Sequence, residues 1–290
     1  MREVGPRDGL QAEAPVTVSQ RAALVEALAE SGLREIEAVS FVSPRAIPAM
    51  AGAAEVMASI RRRPGVKYLA LVPNRKGAEL ALAADMDGLT VTVSASPAYN
   101  ERNVHMTIEQ SVAAVAEIAE VVAPRALPVD AVVSCAFGSP YEGDIDPEEV
   151  HRLGQRLLEA GASSLTYADT TGMATPRRVN DLLEQTGPDV GLHLHDTRGT
   201  ALVNAYAALE RGVTRFDTAA GGLGGSPFAD GAGGNLATED LVHLLDDLGV
   251  ETGVSLERVL SATALVRELV AHPVPSRVAA AGPRLHAEHG

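Results

Sequence analysis

Eight short β-rich runs, separated by amphipathic helices, constrain this chain more than any other feature. The runs lie near residues 1–5, 34–40, 67–72, 88–94, 130–136, 163–168, 190–195 and 213–218. Alternation of strand and helix is the pattern of a parallel sheet. Eight such units within 290 residues favour closure into a (β/α)8 TIM barrel over an open sheet. The helices carry clear punctuation. Residues 19–30 place Leu24, Val25 and Leu28 on one face and stop at Ser31-Gly32. Asp146-Pro147-Glu148-Glu149 supplies a cap, a first-position proline and an acidic first turn, and Thr175-Pro176 opens the next helix in the same way. Ala160-Gly161 and Arg211-Gly212 are glycine stops. A single domain is expected over 1–290, with the barrel at about 1–250 and an extra C-terminal helix and tail at about 251–290. That helix, near 255–270, follows another near 238–248, so it closes one end of the barrel or packs on a neighbour. The Pro-, Ala- and Gly-rich tail after His272 is expected to be irregular.

Composition bounds the partners. The formal net charge of −14 provides no basic face to replace counterions, which argues against nucleic acid. It leaves open an anionic substrate held by a local arginine or metal. Cys135 is the sole cysteine, so neither an internal disulfide nor a thiolate metal cluster can form, and it reads as a small buried hydrophobe. With no signal peptide and no run of eighteen apolar residues, no membrane association is expected and a cytoplasmic protein is the default. Met1 begins almost inside the first strand, so either that strand is short or a residue or two precedes it.

In a (β/α)8 barrel the chemistry sits where strands end and βα loops begin. The seventh run, Gly191-Leu192-His193-Leu194-His195-Asp196, carries two histidines at i and i+2. Strand side chains alternate faces, so both rings leave one face with their Cα atoms roughly 7 Å apart, close enough to converge on one metal ion. Leu192 and Leu194 point the other way. The first strand ends in Gly5-Pro6-Arg7-Asp8-Gly9, and the second carries Glu37 before Ser40-Phe41-Val42-Ser43-Pro44. The sixth ends in Asp169-Thr170-Thr171-Gly172, and after the eighth comes a glycine-rich segment, 221–234, with Ser226 inside it and Asn235 just beyond. Asp8, His193 and His195 offer two nitrogens and a carboxylate, and Asn235 can add a carbonyl oxygen. Mixed ligation with open positions suits Mg²⁺ or Mn²⁺, or Zn²⁺. The same ligand count describes non-haem Fe(II) oxygenases, but an arginine beside the ligand fits better with a reaction that develops an enolate.

Each residue also has a plainer reading. Arg7 and Asp8 can form a salt bridge at the barrel mouth, the two histidines can simply line the interior, and Glu37 and Asp169 can be hydrogen-bonding struts. The glycine-rich segment is neither a P-loop nor a dinucleotide fingerprint. It can be a plain loop, a lid, or a set of backbone amides for an anion.

Taken in order, Glu3-Val4-Gly5-Pro6-Arg7-Asp8-Gly9-Leu10-Gln11, Ser40-Phe41-Val42-Ser43-Pro44, Val133-Ser134-Cys135-Ala136 with Pro140-Tyr141-Glu142-Gly143, Asp169-Thr170, His193-Leu194-His195-Asp196-Thr197 and Gly221-Gly222-Leu223-Gly224-Gly225 through Asp240 resemble the 3-hydroxy-3-methylglutaryl-CoA lyase family of metal-dependent TIM-barrel lyases. The resemblance spans essentially the whole chain. Homocitrate and isopropylmalate synthases and 4-hydroxy-2-oxovalerate aldolases share the Arg-Asp and His-x-His parts but resemble the Ser-Phe-Val-Ser-Pro and glycine-loop segments much less. The resemblance implies that Asp8, His193, His195 and Asn235 hold a divalent cation and that Arg7 stabilises an enolate oxygen. It further implies that Glu37 positions Arg7 or the substrate and that Asp169 takes part in proton transfer. The implied reaction cleaves the C2–C3 bond of 3-hydroxy-3-methylglutaryl-CoA to acetyl-CoA and acetoacetate. A homo-oligomer, a dimer, is expected. Alternatives are a lyase or aldolase for a related 3-hydroxy-3-alkylglutaryl-CoA or hydroxy acid, and a barrel that binds a CoA ester without turnover.

The chain departs from the family at Ser226, where the glycine loop ordinarily carries a cysteine assigned to proton transfer. A serine hydroxyl is much less acidic than a thiol, whose pKa is about 8.5. Ser139 stands where a second cysteine often occurs and reads as structural.

Overall fold

The computed structural model describes residues 1–225 and 233–284. Eight parallel strands close into a barrel in sequence order: β1 (Arg2–Glu3), β2 (Glu35–Ser40), β3 (Lys67–Leu71), β4 (Gly88–Ser94), β5 (Val129–Ser134), β6 (Ser164–Asp169), β7 (Gly191–Leu194) and β8 (Arg215–Thr218). Between and after them run α1 (Val18–Glu30), α2 (Ala53–Ser59), α3 (Arg75–Ala83), α4 (Pro97–Val104), α5 (Ile108–Val122), α6 (Pro147–Glu159), α7 (Pro176–Thr186), α8 (Ala201–Glu210), α9 (Thr238–Asp247), α10 (Leu256–Val270) and α11 (Arg277–Ala281). The capping signals operate as written: Thr17 and Gln20 form a capping box on α1, and the Asp146 and Thr175 side chains accept from Glu148 and Arg178 N–H. The core lies between the barrel wall and the helices. Leu192 and Leu194 are both fully buried on the outward face of β7, as alternation requires. No helix among the described residues is long and apolar enough to cross a membrane.

Several boundaries differ from the sequence reading by a residue or two, and three of the differences have a local reason. The first strand stops at Glu3 rather than continuing to residue 5. The carbonyl of Val4 gathers the N–H groups of Arg7, Asp8 and Gly9 at 3.1, 2.7 and 3.3 Å, winding Gly5–Gly9 into one π-helical turn. Such wide turns recur at functional sites. The fifth strand ends at Ser134, because Cys135 takes φ +55° while its N–H bonds the Thr170 hydroxyl. Cys135 is otherwise what its setting suggested, buried, with burial pushing its thiol pKa up to about 12. The tail after His272 is not wholly irregular, since Ser276 caps the short helix α11 by accepting from Ala279 N–H.

Helix α10 packs on α1, on α9 and on the turn after β8. Its Thr263 hydroxyl donates to Glu239 of α9 at 3.1 Å, and Ser276 donates to Asp240 at 2.7 Å. The C-terminal segment is thereby tied to α9, the helix that follows β8.

Candidate metal centre

The π-helical turn after β1 presents Arg7 and Asp8 to the C-terminal mouth, where both are buried. The Arg7 guanidinium donates from Nη1 to Asp8 Oδ1 at 2.6 Å and from Nε to the carboxylate of Glu37. Register shifts between Glu37 and Val39 in β2, an irregularity of the kind that re-aims a side chain next to a site. The second oxygen of Glu37 accepts from the Thr90 hydroxyl. Glu37 therefore acts on Arg7 and lies one residue away from the Asp8 carboxylate.

Two strands round the barrel from β1, across β8, β7 delivers the two histidines with ring centroids 5.0 Å apart. Their Nε2 atoms face each other at 3.0 Å, and Asp8 Oδ2 lies 3.9 Å from Nε2 of His193. Asp8, His193 and His195 each bring one ligand atom to within 4.8 Å of the others. The strand itself ends at Leu194. His195 continues into an isolated antiparallel bridge with Asn235, which draws that residue into the cluster.

The far nitrogens show what the facing ones must be. His193 Nδ1 contacts Asp217 Oδ2 at 3.1 Å, and His195 Nδ1 contacts the Gly233 carbonyl at 3.0 Å. Both oxygens can only accept, so each Nδ1 donates. In the neutral rings two bare lone pairs then meet at 3.0 Å beside a carboxylate, an arrangement stable only around positive charge. Burial alone would raise the Asp8 pKa, yet Arg7, the two histidines and the Asn235 amide hold it down at about 2. Burial works to lower His193, but Asp217 and Asp8 outweigh it and raise its pKa. Burial, reinforced by His193, takes His195 down to about 4. Two imidazole nitrogens and a carboxylate oxygen, fixed by groups behind them, fit a divalent cation.

Asn235 is in the cluster, but not with its carbonyl turned to Asp8. Its amide nitrogen donates to Asp8 Oδ2 at 2.7 Å and to the Leu223 carbonyl at 2.8 Å, while Oδ1 is buried with no hydrogen-bond partner among the described residues. Asp169 ends β6 with Oδ1 accepting from Met173 and Ala174 N–H at 2.6 and 3.0 Å, and its Oδ2 is likewise buried without a partner. Burial raises its pKa to about 6 despite those two bonds and the weaker pull of Arg198 and His193. Ser226 lies outside the described residues. Ser139 is buried and, with Ser96, binds the Glu142 carboxylate, which also accepts from Ala98 N–H at the start of α4.

Four charged residues at work here are not among the site residues expected from the sequence. Asp217 backs His193, and Arg2 in turn grips Asp217. Glu3 accepts from the N–H groups of Gly5 and Ala220 at 2.8 and 3.0 Å, and Glu239 accepts from Gly221 N–H at 3.1 Å. Between them, Glu3 and Glu239 anchor the root of the glycine segment. Asp217 was discoverable in principle, since alternation along Arg215-Phe216-Asp217-Thr218 sends it inward beside His193.

A barrel whose mouth joins a carboxylate, two imidazoles and a guanidinium belongs to the class of enzymes that pair a bound cation with a fixed positive charge. The chain is a member of the HMGL-like family, whose model matches residues 1–266. It is 42% identical over 284 residues to a hydroxymethylglutaryl-CoA lyase of Bacillus subtilis, covering 96% of this chain and 95% of that protein. It is also 42% identical over 266 residues to a 3-hydroxy-3-isohexenylglutaryl-CoA/hydroxy-methylglutaryl-CoA lyase of Pseudomonas aeruginosa, covering 90% and 89% of the two chains. Its fold matches an HMG-CoA lyase of Acinetobacter baumannii, solved with coenzyme A and 3-methylmalate, at TM-score 0.93 and 41% identity over 99% of this chain and 96% of the other.

Proposed function

We propose that the protein is a divalent-metal-dependent carbon–carbon lyase that cleaves 3-hydroxy-3-methylglutaryl-CoA to acetyl-CoA and acetoacetate. The convergence of Asp8, His193 and His195 beside the Arg7 guanidinium carries this reading. It is supported by relatives and a solved structure that bear the hydroxymethylglutaryl-CoA lyase name over nearly their whole lengths. Asp8, His193 and His195 would hold Mg²⁺ or Mn²⁺, with Asn235 beside them, and the ion would supply Lewis-acid charge to the substrate's oxygens.

The rest is assigned to the protein's own groups. A base takes the C3 hydroxyl proton, the C2–C3 bond breaks, and its electron pair moves into the thioester as an enolate while C3 becomes the ketone of acetoacetate. Arg7, held by Glu37, faces the enolate oxygen with a cationic fork. Asp169 suits proton transfer, because its Oδ2 has no partner among the described residues and its pKa of about 6 allows both protonation states near neutrality. Ser226 stands where the family cysteine would return a proton to the enolate carbon. We take the whole chain as one catalytic domain, since α10 and α11 are bonded to the loop and helix after β8. The expected form is a cytoplasmic dimer.

A substrate panel tests the reading. Release of acetyl-CoA from the methylglutaryl thioester should be rapid with Mn²⁺ and absent with chelator. The dual name of the Pseudomonas aeruginosa relative favours one second reading, in which a longer 3-alkyl substituent is preferred. A higher kcat/KM on that thioester would displace the methyl compound. Binding of CoA thioesters with no turnover on any of them would overturn the lyase assignment. Ser226→Cys should raise kcat by restoring a more acidic donor, and an unchanged rate would place residue 226 outside the chemistry.

A further inference from the structure

Arg2 lies at matched register with Asp217 of β8, and Asp217 at matched register with His193 of β7. Residues paired in this way on neighbouring parallel strands share a face, so all three line the barrel interior side by side. Arg2 holds Asp217 with two parallel bonds, Nε to Oδ1 at 2.8 Å and Nη2 to Oδ2 at 2.7 Å. Its Nη1 donates to Asp130 at 2.8 Å, and Asp130 is steadied in turn by the Ser164 and Thr166 hydroxyls. Arg2, Asp130 and Asp217 are all buried.

We propose that Arg2 is a positioning residue for the cation cluster, acting through Asp217 on His193. The terminal torsion of an aspartate is soft, so a carboxylate held at one point can turn and present either oxygen. A guanidinium fork engages both oxygens at once and fixes the plane. The plane fixed here leaves Asp217 Oδ2 against His193 Nδ1 at 3.1 Å. That contact makes Nδ1 the donor and keeps the Nε2 lone pair aimed at Asp8 and His195. The first strand thus serves the site twice, through Asp8 in the turn above it and through Arg2 within it. A lysine at position 2 would replace the fork with a single point donor and release the carboxylate plane.

The inference rests on Asp8, His193 and His195 being ligands, and Mn²⁺ titration by calorimetry distinguishes the two ideas. Removing a group that orients a metal ligand costs about 10–100-fold in affinity. Arg2→Lys should therefore weaken Mn²⁺ binding about tenfold, and Arg2→Met more. Ser164→Ala serves as the control: it removes a bond to Asp130 in the same buried layer without touching Asp217, and should leave affinity within about twofold, in line with the modest net worth of one hydrogen bond. A second readout needs no ion. In metal-free protein at alkaline pH, where the His193 ring is neutral, ¹⁵N shifts should show it as one tautomer, protonated at Nδ1, in the wild type and as a mixture in Arg2→Lys. Unchanged affinity and an unchanged tautomer in a folded Arg2→Lys protein would overturn the role of Arg2 and leave the cation site standing. If Arg2→Met does not fold, Arg2→Lys and the tautomer measurement decide. A wild-type protein that binds no divalent ion would overturn both ideas together.

Discussion

Two buried acidic clusters lie along the β1–β8 side of the barrel, and they differ in how completely their polar atoms are met. At the root of the glycine segment, Glu3 meets Gly5 N–H, Ala220 N–H and the Thr238 hydroxyl, while Glu239 meets Gly221 N–H and the Thr263 hydroxyl. At the mouth, two imidazole lone pairs and Asp8 face a common point, and the oxygens Asn235 Oδ1 and Asp169 Oδ2 have no partner among the described residues. Both clusters are buried. Imidazole lone pairs and a carboxylate turned to one point, with two unpaired oxygens beside them, indicate chemistry, whereas full pairing at the root indicates structure.

That contrast predicts opposite outcomes for similar substitutions. Asp8→Asn should be the most severe, because a neutral amide removes the one carboxylate that, among the described residues, joins both Nε2 atoms in the cluster. Divalent-ion affinity should fall by more than about 100-fold, beyond the loss caused by disturbing an outer group, and turnover should vanish at ordinary ion concentrations. Tight Mn²⁺ binding by this variant would dissolve the distinction between the clusters. Arg7→Gln should come next. Its loss from beside the enolate oxygen should cost about 10²–10³ in kcat, the scale seen when one oxyanion donor is removed. Ion affinity should change only a few-fold, and near-normal kcat would reassign Arg7 to a salt bridge.

Gly224 joins the two regions in one residue. Its φ is +104°, and a Cβ there would sit 2.5 Å from Asn235 Nδ2 and 3.1 Å from Asp8 Oδ2. Left-handed strain costs on the order of 1–3 kcal/mol, and the clash pushes directly on the cluster. Gly224→Ala should therefore lower both the unfolding midpoint and Mn²⁺ affinity. A loss of stability with affinity intact would show that the glycine serves the fold alone.

Much of the mouth was legible in the sequence because its information is local. Alternation in β7 places both histidines on one face, and Arg7-Asp8 are adjacent in the chain. The barrel itself follows from regular βα spacing. Partners such as Arg2 and Asp217 stand 215 residues apart and meet only when β1 closes on β8. A charged residue at a strand start then looks like solvent-facing polarity. The π-helical turn escaped because Gly5-Pro6 extends the strand pattern by composition, while the Val4 carbonyl dictates a different geometry. The orientation of the Asn235 amide depends on Asp8 and the Leu223 carbonyl together, which no spacing rule contains.

The smallest expected effect falls at the root and is read from pH. Glu3 is fully buried, and burial, only partly offset by its three hydrogen bonds, raises its pKa from 4.5 to about 7. Below pH 4.5 the folded and unfolded chains both hold this proton. Between 4.5 and about 7 the unfolded chain releases it while the native chain keeps it, so the contribution of Glu3 to stability declines as pH rises. At about 1.4 kcal/mol per pKa unit the full decline approaches roughly 3 kcal/mol. Glu3→Gln should remove it, because an amide oxygen can still accept from Gly5 and Ala220. The Thr238 hydroxyl, which also touches Thr218 at 2.8 Å, can turn to accept from the new amide nitrogen. Urea midpoints taken at pH 5, 6, 7 and 8 should therefore fall less steeply for Glu3→Gln than for the wild type, with ion affinity unchanged. Parallel curves would mean that Glu3 stays ionised throughout. Weakened ion binding in the variant would mean that the root is part of the site it supports.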